Sequence, residues 1–176
     1  KPAVASNGGI VTAQHHMAAR AGADVLTRGG NAVDAAIATA FALASVEPWM
    51  SGLGGCGFMV IHLAREKRTF ALEFGVKAPL ALDPTDYPLS DGHDSDLFTW
   101  PAVLEHRNVF GPKSVAVPGF VAGMAEAAAR FASLNWNDLL SASIELAEAG
   151  LRVDWYSSLK IASVARDIDR FAATRS

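Results

Sequence analysis

Between Gly29-Gly30 and Pro48 the chain has room for little except a buried helix. The paired glycines supply the left-handed stop that ends a preceding helix. Asn31 follows as an N-cap whose side-chain oxygen can accept from the backbone N–H of Asp34, and the Asp34 carboxylate stands in the positive first turn. Ala35 through Ala44 is almost wholly small or apolar, broken only by Thr39. A helix that is apolar on nearly every side is predicted to be buried all round, and Pro48 stops it.

The rest of the chain is read outward from this helix. Met17, Ala18, Ala21, Val25 and Leu26 recur at helical spacing and predict a helix over Met17 to Arg28. After Pro48 comes a glycine turn, Ser51-Gly52-Leu53-Gly54-Gly55-Cys56-Gly57. Phe58 to Leu63 reads as a buried strand, Arg65 to Arg68 as a charged turn and Thr69 to Phe74 as the second strand of a hairpin. From Gly75 to Lys113 the pattern gives way to Pro, Asp, Ser and Gly, which predicts a long loop or lobe with a functional or partner-covering role. Ser114 to Val117 reads as a short strand ended by Pro118-Gly119. Helices are expected at Val121 to Phe131, at Asp138 to Glu148 behind Asn137 as N-cap and closed by Gly150, and at Tyr156 to Phe171. These elements mix helices and strands over residues 1–176, with no composition break that would set off separate domains.

The 176 residues suffice for one core, and 51% hydrophobic with 19% charged residues fits a globular protein slightly rich in apolar side chains. A net charge of −3 gives no electrostatic case for nucleic acid or an anionic membrane. The apolar stretch from Ala35 to Val46 is too short for a membrane span. No apolar leader core follows Lys1-Pro2, and the compartment is left open. Cys56 is the single cysteine, so no internal disulfide is expected.

Gly52, Gly54 and Gly57 spell G-x-G-x-x-G, but a helix precedes the turn and a strand follows it, the reverse of a dinucleotide site. A crossing where backbones approach closely is the favoured reading, with a pocket floor as a secondary role. His15-His16 cannot share a metal from adjacent positions. His62 reads as a satisfied strand histidine. His93 with Asp91, Asp94, Ser95 and Asp96 lacks the order of a calcium loop and reads as a solvated loop. Cys56 has no histidine beside it in sequence, no Gly-x-Ser-x-Gly elbow is present, and neither a metal nor a cofactor is expected. Trp49, Trp100, Trp136 and Trp155 are spread out as packing residues are.

Gly29 to Ala36 and Glu47 to Phe58, one helix length apart, together resemble the start of the large subunit in the γ-glutamyltransferase family. Ala78-Pro79, Ser114-Val115-Ala116-Val117-Pro118-Gly119 with Val121-Ala122-Gly123, Trp136 with Asp138-Leu139-Leu140, and Ala147-Glu148-Ala149-Gly150-Leu151 continue the likeness in order. It covers about the first half of a family large subunit, so the chain reads as part of a longer polypeptide. The resemblance implies an N-terminal-nucleophile hydrolase fold, a four-layer αββα sandwich to which this chain supplies helices and a few strands. It also implies a self-cleaving precursor, a small-subunit partner from that precursor, and a small-molecule amide substrate. The nucleophile would be the new N-terminal threonine of that small subunit, with its own α-amino group as base. None of Thr12, Thr27, Thr39, Thr69, Thr85, Thr99 and Thr174 is followed by the residues of such a cleavage point, so no catalytic residue is expected in this chain.

One departure is specific. In Leu72-Glu73-Phe74-Gly75-Val76-Lys77-Ala78-Pro79, the family arginine that grips the substrate α-carboxylate falls on Gly75 and the following glutamate on Val76. A guanidinium fork matches a carboxylate bidentately, and losing it weakens binding unless another cation replaces it. The resemblance therefore implies a substrate-binding wall at Phe74, Gly75, Val76 and Lys77, with Arg107 as a second candidate cation, and an altered acyl group of the glutaryl type. The alternatives are a genuine γ-glutamyl transferase or glutathione hydrolase, and a non-catalytic binding scaffold.

Overall fold

The computed structural model describes residue 3, residues 5–95 and residues 98–175. They group into two compact units: Lys1–Val76 with Pro118–Ser157, and Lys77–Val117 with Ser158–Ser176.

The first unit is built around α2 (Ala32–Val46), which packs against α1 (His16–Thr27), α3 (Phe120–Phe131) and α4 (Trp136–Ala149). α1 ends as its glycines require: Gly29 lies at φ +89°, its N–H donates to Leu26 O at 3.0 Å, and the Gly30 N–H donates to Val25 O at 3.0 Å. Asn31 then caps α2, its Oδ1 accepting from Val33 N–H at 2.7 Å and Asp34 N–H at 3.1 Å. The Asp34 carboxylate answers by accepting from Asn31 N–H at 2.7 Å, which completes a reciprocal capping box. Ile37 and Ala42 of α2 are fully buried, and Phe41 meets Phe120 and Trp136 edge-on at 5.1 and 5.5 Å.

β1 (Gly57–Leu63) and β2 (Arg68–Phe74) pair antiparallel with Gly57 opposite Phe74 and Leu63 opposite Arg68. The hairpin is the expected one, but the expectation of a fully buried strand needs correcting. Met59, Ile61 and Leu63 face the helical core, whereas Phe58 and Val60 are 76% and 74% exposed. A strand alternates its side chains, so the run Phe-Met-Val-Ile fills both faces while the described residues cover only one. α4 begins at Trp136 behind Asn135, not at Asp138 behind Asn137, and its closing glycine is Gly150 at φ +81°. α5 (Trp155–Asp169) starts behind Asp154, whose carboxylate accepts from both the backbone N–H and the hydroxyl of Ser157 at 2.8 Å. It ends short of the predicted Phe171, and the four-residue α6 (Ala172–Arg175) follows.

In the second unit, the stretch read as a long loop or lobe carries secondary structure that its sequence did not signal. The stretch contains a hairpin, β3 (Leu89–Ser95) with β4 (Thr99–Val103), and short 3-10 turns at Pro84–Asp86, Leu104–His106 and Pro112–Ser114. Thus His93 lies in a strand opposite Pro101, while Asp96 is outside the described residues. The predicted strand at Ser114 to Val117 reduces to one bridge, Val117 with Lys77. Gly111, at φ +85°, lies against the Phe171 ring, and the Arg170 guanidinium stacks 5.3 Å from the Phe110 ring centre.

Candidate functional site

Phe74 closes β2 and is 7% exposed. Three glycines make its slot. A Cβ on Gly57, its cross-strand neighbour, would stand 2.7 Å from Cε2 of the ring. On Gly123 it would stand 2.1 Å from Cγ, and on Gly119 2.4 Å from the Phe74 carbonyl oxygen. Separations below 3 Å are not met by real Cβ atoms, so glycine is the residue that fits at all three positions. The glycine turn joins the same construction, because Gly55 O accepts from Gly119 N–H at 3.2 Å and Phe120 N–H at 3.0 Å. This supports close backbone approach for Gly55 and Gly57, but Gly52 and Gly54 face open space, which corrects the expectation of crowding along the whole turn.

Gly75 follows directly. A Cβ there would meet only Glu73 Oε1 at 3.8 Å, an ordinary contact, and its φ lies outside the left-handed range. The position is therefore open to a larger side chain. Val76 is 49% exposed. Phe74, Gly75 and Val76 thus run together out of the buried end of β2 in the first unit. Lys77 belongs to the second unit, where its backbone is paired with Val117 (Lys77 N–H to Val117 O 3.0 Å, Val117 N–H to Lys77 O 2.8 Å). Arg107, in the same unit, is already engaged: its Nε and Nη2 donate to Glu105 Oε2 at 2.9 and 2.7 Å, and Nη1 to Asp86 O at 3.5 Å. Glu105 and His106 before it both adopt left-handed backbone, at φ 59° and 53°. His106 meets Asp94 at 3.1 Å.

The remaining candidates separate cleanly. Cys56 is exposed. His15 caps α1, its Nδ1 accepting from Met17 N–H at 3.2 Å, and stacks on His16. His62 bonds to Thr69 Oγ1 across the hairpin at 2.9 Å. Among the described residues no group of three or more His, Cys, Asp or Glu is placed to hold a metal, and no helix is long and apolar enough to cross a membrane.

Sequence reasoning gave Asp34 only a cap role, and the structure gives it more. Its buried carboxylate also accepts from Ser133 N–H at 3.0 Å, Ser133 Oγ at 2.5 Å and Leu134 N–H at 3.2 Å, tying the start of α2 to the α3–α4 connection. Burial pushes its pKa upward, but the hydrogen bonds from Ser133, Asn31 and Leu134 outweigh it and hold the carboxyl below its ordinary value. The one available signal was the capping position itself. Glu47 was also missed: it is 5% exposed, and its Oε2 and the indole Nε1 of Trp49 are buried without a partner among the described residues. A buried carboxylate oxygen without a partner is rare in native proteins.

The comparisons with known proteins agree with this architecture. The family model described as gamma-glutamyltranspeptidase matches residues 18–176. A glutathione hydrolase proenzyme of a Pseudomonas species is 42% identical over 149 residues, covering 85% of this chain and 24% of the relative. An acylase proenzyme of another Pseudomonas strain is 41% identical over 173 residues, covering 97% of this chain and 30% of the relative. The crystal structure of Helicobacter pylori gamma-glutamyltranspeptidase superimposes with a TM-score of 0.86 at 31% identity, covering 98% of this chain and 47% of that one. The chain therefore spans 24% to 30% of the length of these curated relatives. Its fold is α+β, that of the N-terminal-nucleophile hydrolases. With the match running through both units and nearly all the elements described above, the chain belongs to the gamma-glutamyltranspeptidase family.

Proposed function

We propose that this chain is part of the large subunit of a self-processing amide-bond hydrolase or acyltransferase whose acyl pocket lacks the family's carboxylate-gripping arginine. The nucleophile is the N-terminal threonine of the partner small subunit. Its hydroxyl attacks the substrate carbonyl while its α-amino group takes the proton, the amine leaves protonated, and the acyl ester passes to water or an acceptor amine. This chain supplies a wall of the pocket at Phe74, Gly75 and Val76. The observation that carries the reading is Gly75: apart from its sequence neighbours, Glu73 Oε1 at 3.8 Å is the one group of this chain within 4 Å of where its side chain would start, which supports an arginine position that this chain does not refill. Without a guanidinium there, an acyl group lacking the α-amino-acid head loses nothing, whereas a γ-glutamyl group loses its bidentate partner. Relatives named as acylases and as glutathione hydrolases stand at nearly equal identity, which suits a pocket that has changed its acyl group within the family.

The test is a side-by-side assay of the full-length processed enzyme on γ-glutamyl and glutaryl anilides. Glutaryl is expected to be the better substrate, and Gly75→Arg is expected to move the ratio of kcat/KM toward γ-glutamyl by roughly 10- to 100-fold, the worth of a buried charged hydrogen bond. A wild-type preference for γ-glutamyl would overturn the altered-pocket reading in favour of a genuine γ-glutamyl enzyme, with the cation supplied elsewhere in the protein. That second reading is favoured by the 42% identity to a glutathione hydrolase.

A further inference from the structure

Gly75 has two unlike sides. Its side-chain direction is open, while its carbonyl oxygen would lie 2.6 Å from a Cβ on Gly119. β2 ends at Phe74, so no strand pairing holds residue 75 in place. What fixes it is the slot around Phe74: Gly57 against the ring tip, Gly123 against the ring base, and Gly119 against both carbonyls. Each glycine sits on a different local frame. Gly57 opens β1, Gly119 caps α3 and donates its N–H to Gly55 O, and Gly123 lies in the first turn of α3.

We propose that Gly57, Gly119 and Gly123 are positioning residues that act through Phe74 to set where the Gly75 backbone lies, and thereby set acyl selectivity. The inference rests on reading Gly75 as a wall of the acyl pocket. None of the three need touch substrate. Each keeps its own backbone within contact of Phe74, so an added methyl must displace that residue, and Gly75 moves with it. A displacement on the order of 1 Å in a positioning element can cost about 100-fold in rate.

The geometry also says which substitutions compensate. The three atoms nearest a Cβ on Gly57 are the ring atoms Cε2 at 2.7 Å, Cζ at 3.2 Å and Cδ2 at 3.6 Å, of which leucine lacks the first two. A Cβ on Gly123 meets Cγ at 2.1 Å and Cβ at 2.5 Å, which leucine retains. Phe74→Leu should therefore relieve Gly57→Ala and fail to relieve Gly123→Ala.

The experiment measures the glutaryl-to-γ-glutamyl ratio of kcat/KM in the full-length enzyme, with self-processing followed in parallel. Gly57→Ala is expected to shift the ratio by roughly tenfold, mostly through KM, while processing continues. Adding Phe74→Leu should bring the ratio back toward the parent, and the same addition to Gly123→Ala should not. An unchanged ratio in a processed Gly57→Ala enzyme, or no recovery in its double variant, overturns the positioning role. If Gly57→Ala does not assemble, the Gly57→Ala/Phe74→Leu double variant must, because leucine lacks the two ring atoms nearest the added methyl, and a double variant that also fails to assemble overturns the slot. Gly75→Arg run in the same series separates the two ideas. A ratio that ignores Gly75→Arg removes the pocket reading itself, whereas one that follows Gly75→Arg but ignores Gly57→Ala removes only the slot.

Discussion

The two units are held together by different physics. In the first, Val25, Ile37 and Leu139 are essentially inaccessible, and so is a charged group, Asp34, both of whose carboxylate oxygens accept hydrogen bonds. In the second, the buried apolar side chains among the described residues are Ala102 and Val103, and ion pairs such as Arg107 with Glu105 and Lys113 with Asp86 lie on the surface. Buried apolar area contributes about 25 cal/mol per Å², and a buried charge in a saturated network is costly to disturb, whereas an exposed ion pair contributes at most about 1 kcal/mol. The first unit should thus be brittle at single positions and the second tolerant of many.

Asp34→Ala is the substitution with the largest expected effect. It strands the N–H groups of Asn31, Ser133 and Leu134 and the hydroxyl of Ser133. At about 1–3 kcal/mol for each buried donor left unsatisfied, with water reaching some of them, the loss should be about 3–5 kcal/mol. Hydrogen exchange in the full-length protein should show faster exchange at Ser133 and Leu134 and through the first turn of α2. Protection unchanged at those amides would mean that the core, not the carboxylate, holds the connection.

The same group gives the comparison a pH axis. The folded pKa of Asp34 is lowered, so the unfolded chain binds its proton first as pH falls. Its stabilisation is complete above the ordinary carboxylate value of about 3.9 and is lost as pH drops through the lower folded value. Asp83 in the second unit is lowered too, by the Thr85 hydroxyl and N–H, but it is exposed and its share is screened by solvent. Acid unfolding of the first unit should therefore follow Asp34, and Asp34→Asn should flatten its pH dependence below about pH 4. Circular dichroism at pH values from about 5 down to about 2 checks this, and parallel curves for parent and variant would reassign the acid transition to other carboxylates.

The same division separates what the sequence disclosed from what it hid. Where stability comes from apolar periodicity and paired turn signals, the residues announced the structure: Gly29-Gly30, Asn31 and the Ala-rich run specified α1, the cap and α2 nearly to the residue. Where it comes from alternation too short to stand out, they did not. β3 reads Leu-Ser-Asp-Gly-His-Asp-Ser and β4 holds a proline, so a hairpin there has no apolar signature. At the candidate site the sequence located the stretch from Phe74 to Lys77 through a resemblance. The slot depends on Gly119 and Gly123, more than forty positions beyond Phe74 in sequence, and single-residue periodicity carries no record of such a contact.

Lys113→Ala asks the smallest question, and answers most directly whether the second unit is tolerant. The Lys113 ammonium pairs with Asp86, and both side chains are nearly half exposed, at 43% and 47%. The backbone at this point has another hold, because the Tyr87 hydroxyl donates to Lys113 O at 2.8 Å and Ser114 N–H donates to Gly111 O at 3.1 Å. Alanine removes the charge and leaves both bonds. The expected loss is about 0.2–1 kcal/mol at low ionic strength, and it should vanish in 1 M salt, where screening acts within about 3 Å. A loss above about 2 kcal/mol that persists in salt would mean the pair is shielded from solvent in the full-length protein. The second unit would then be as brittle as the first, its exposed ion pairs lying against chain that completes the protein.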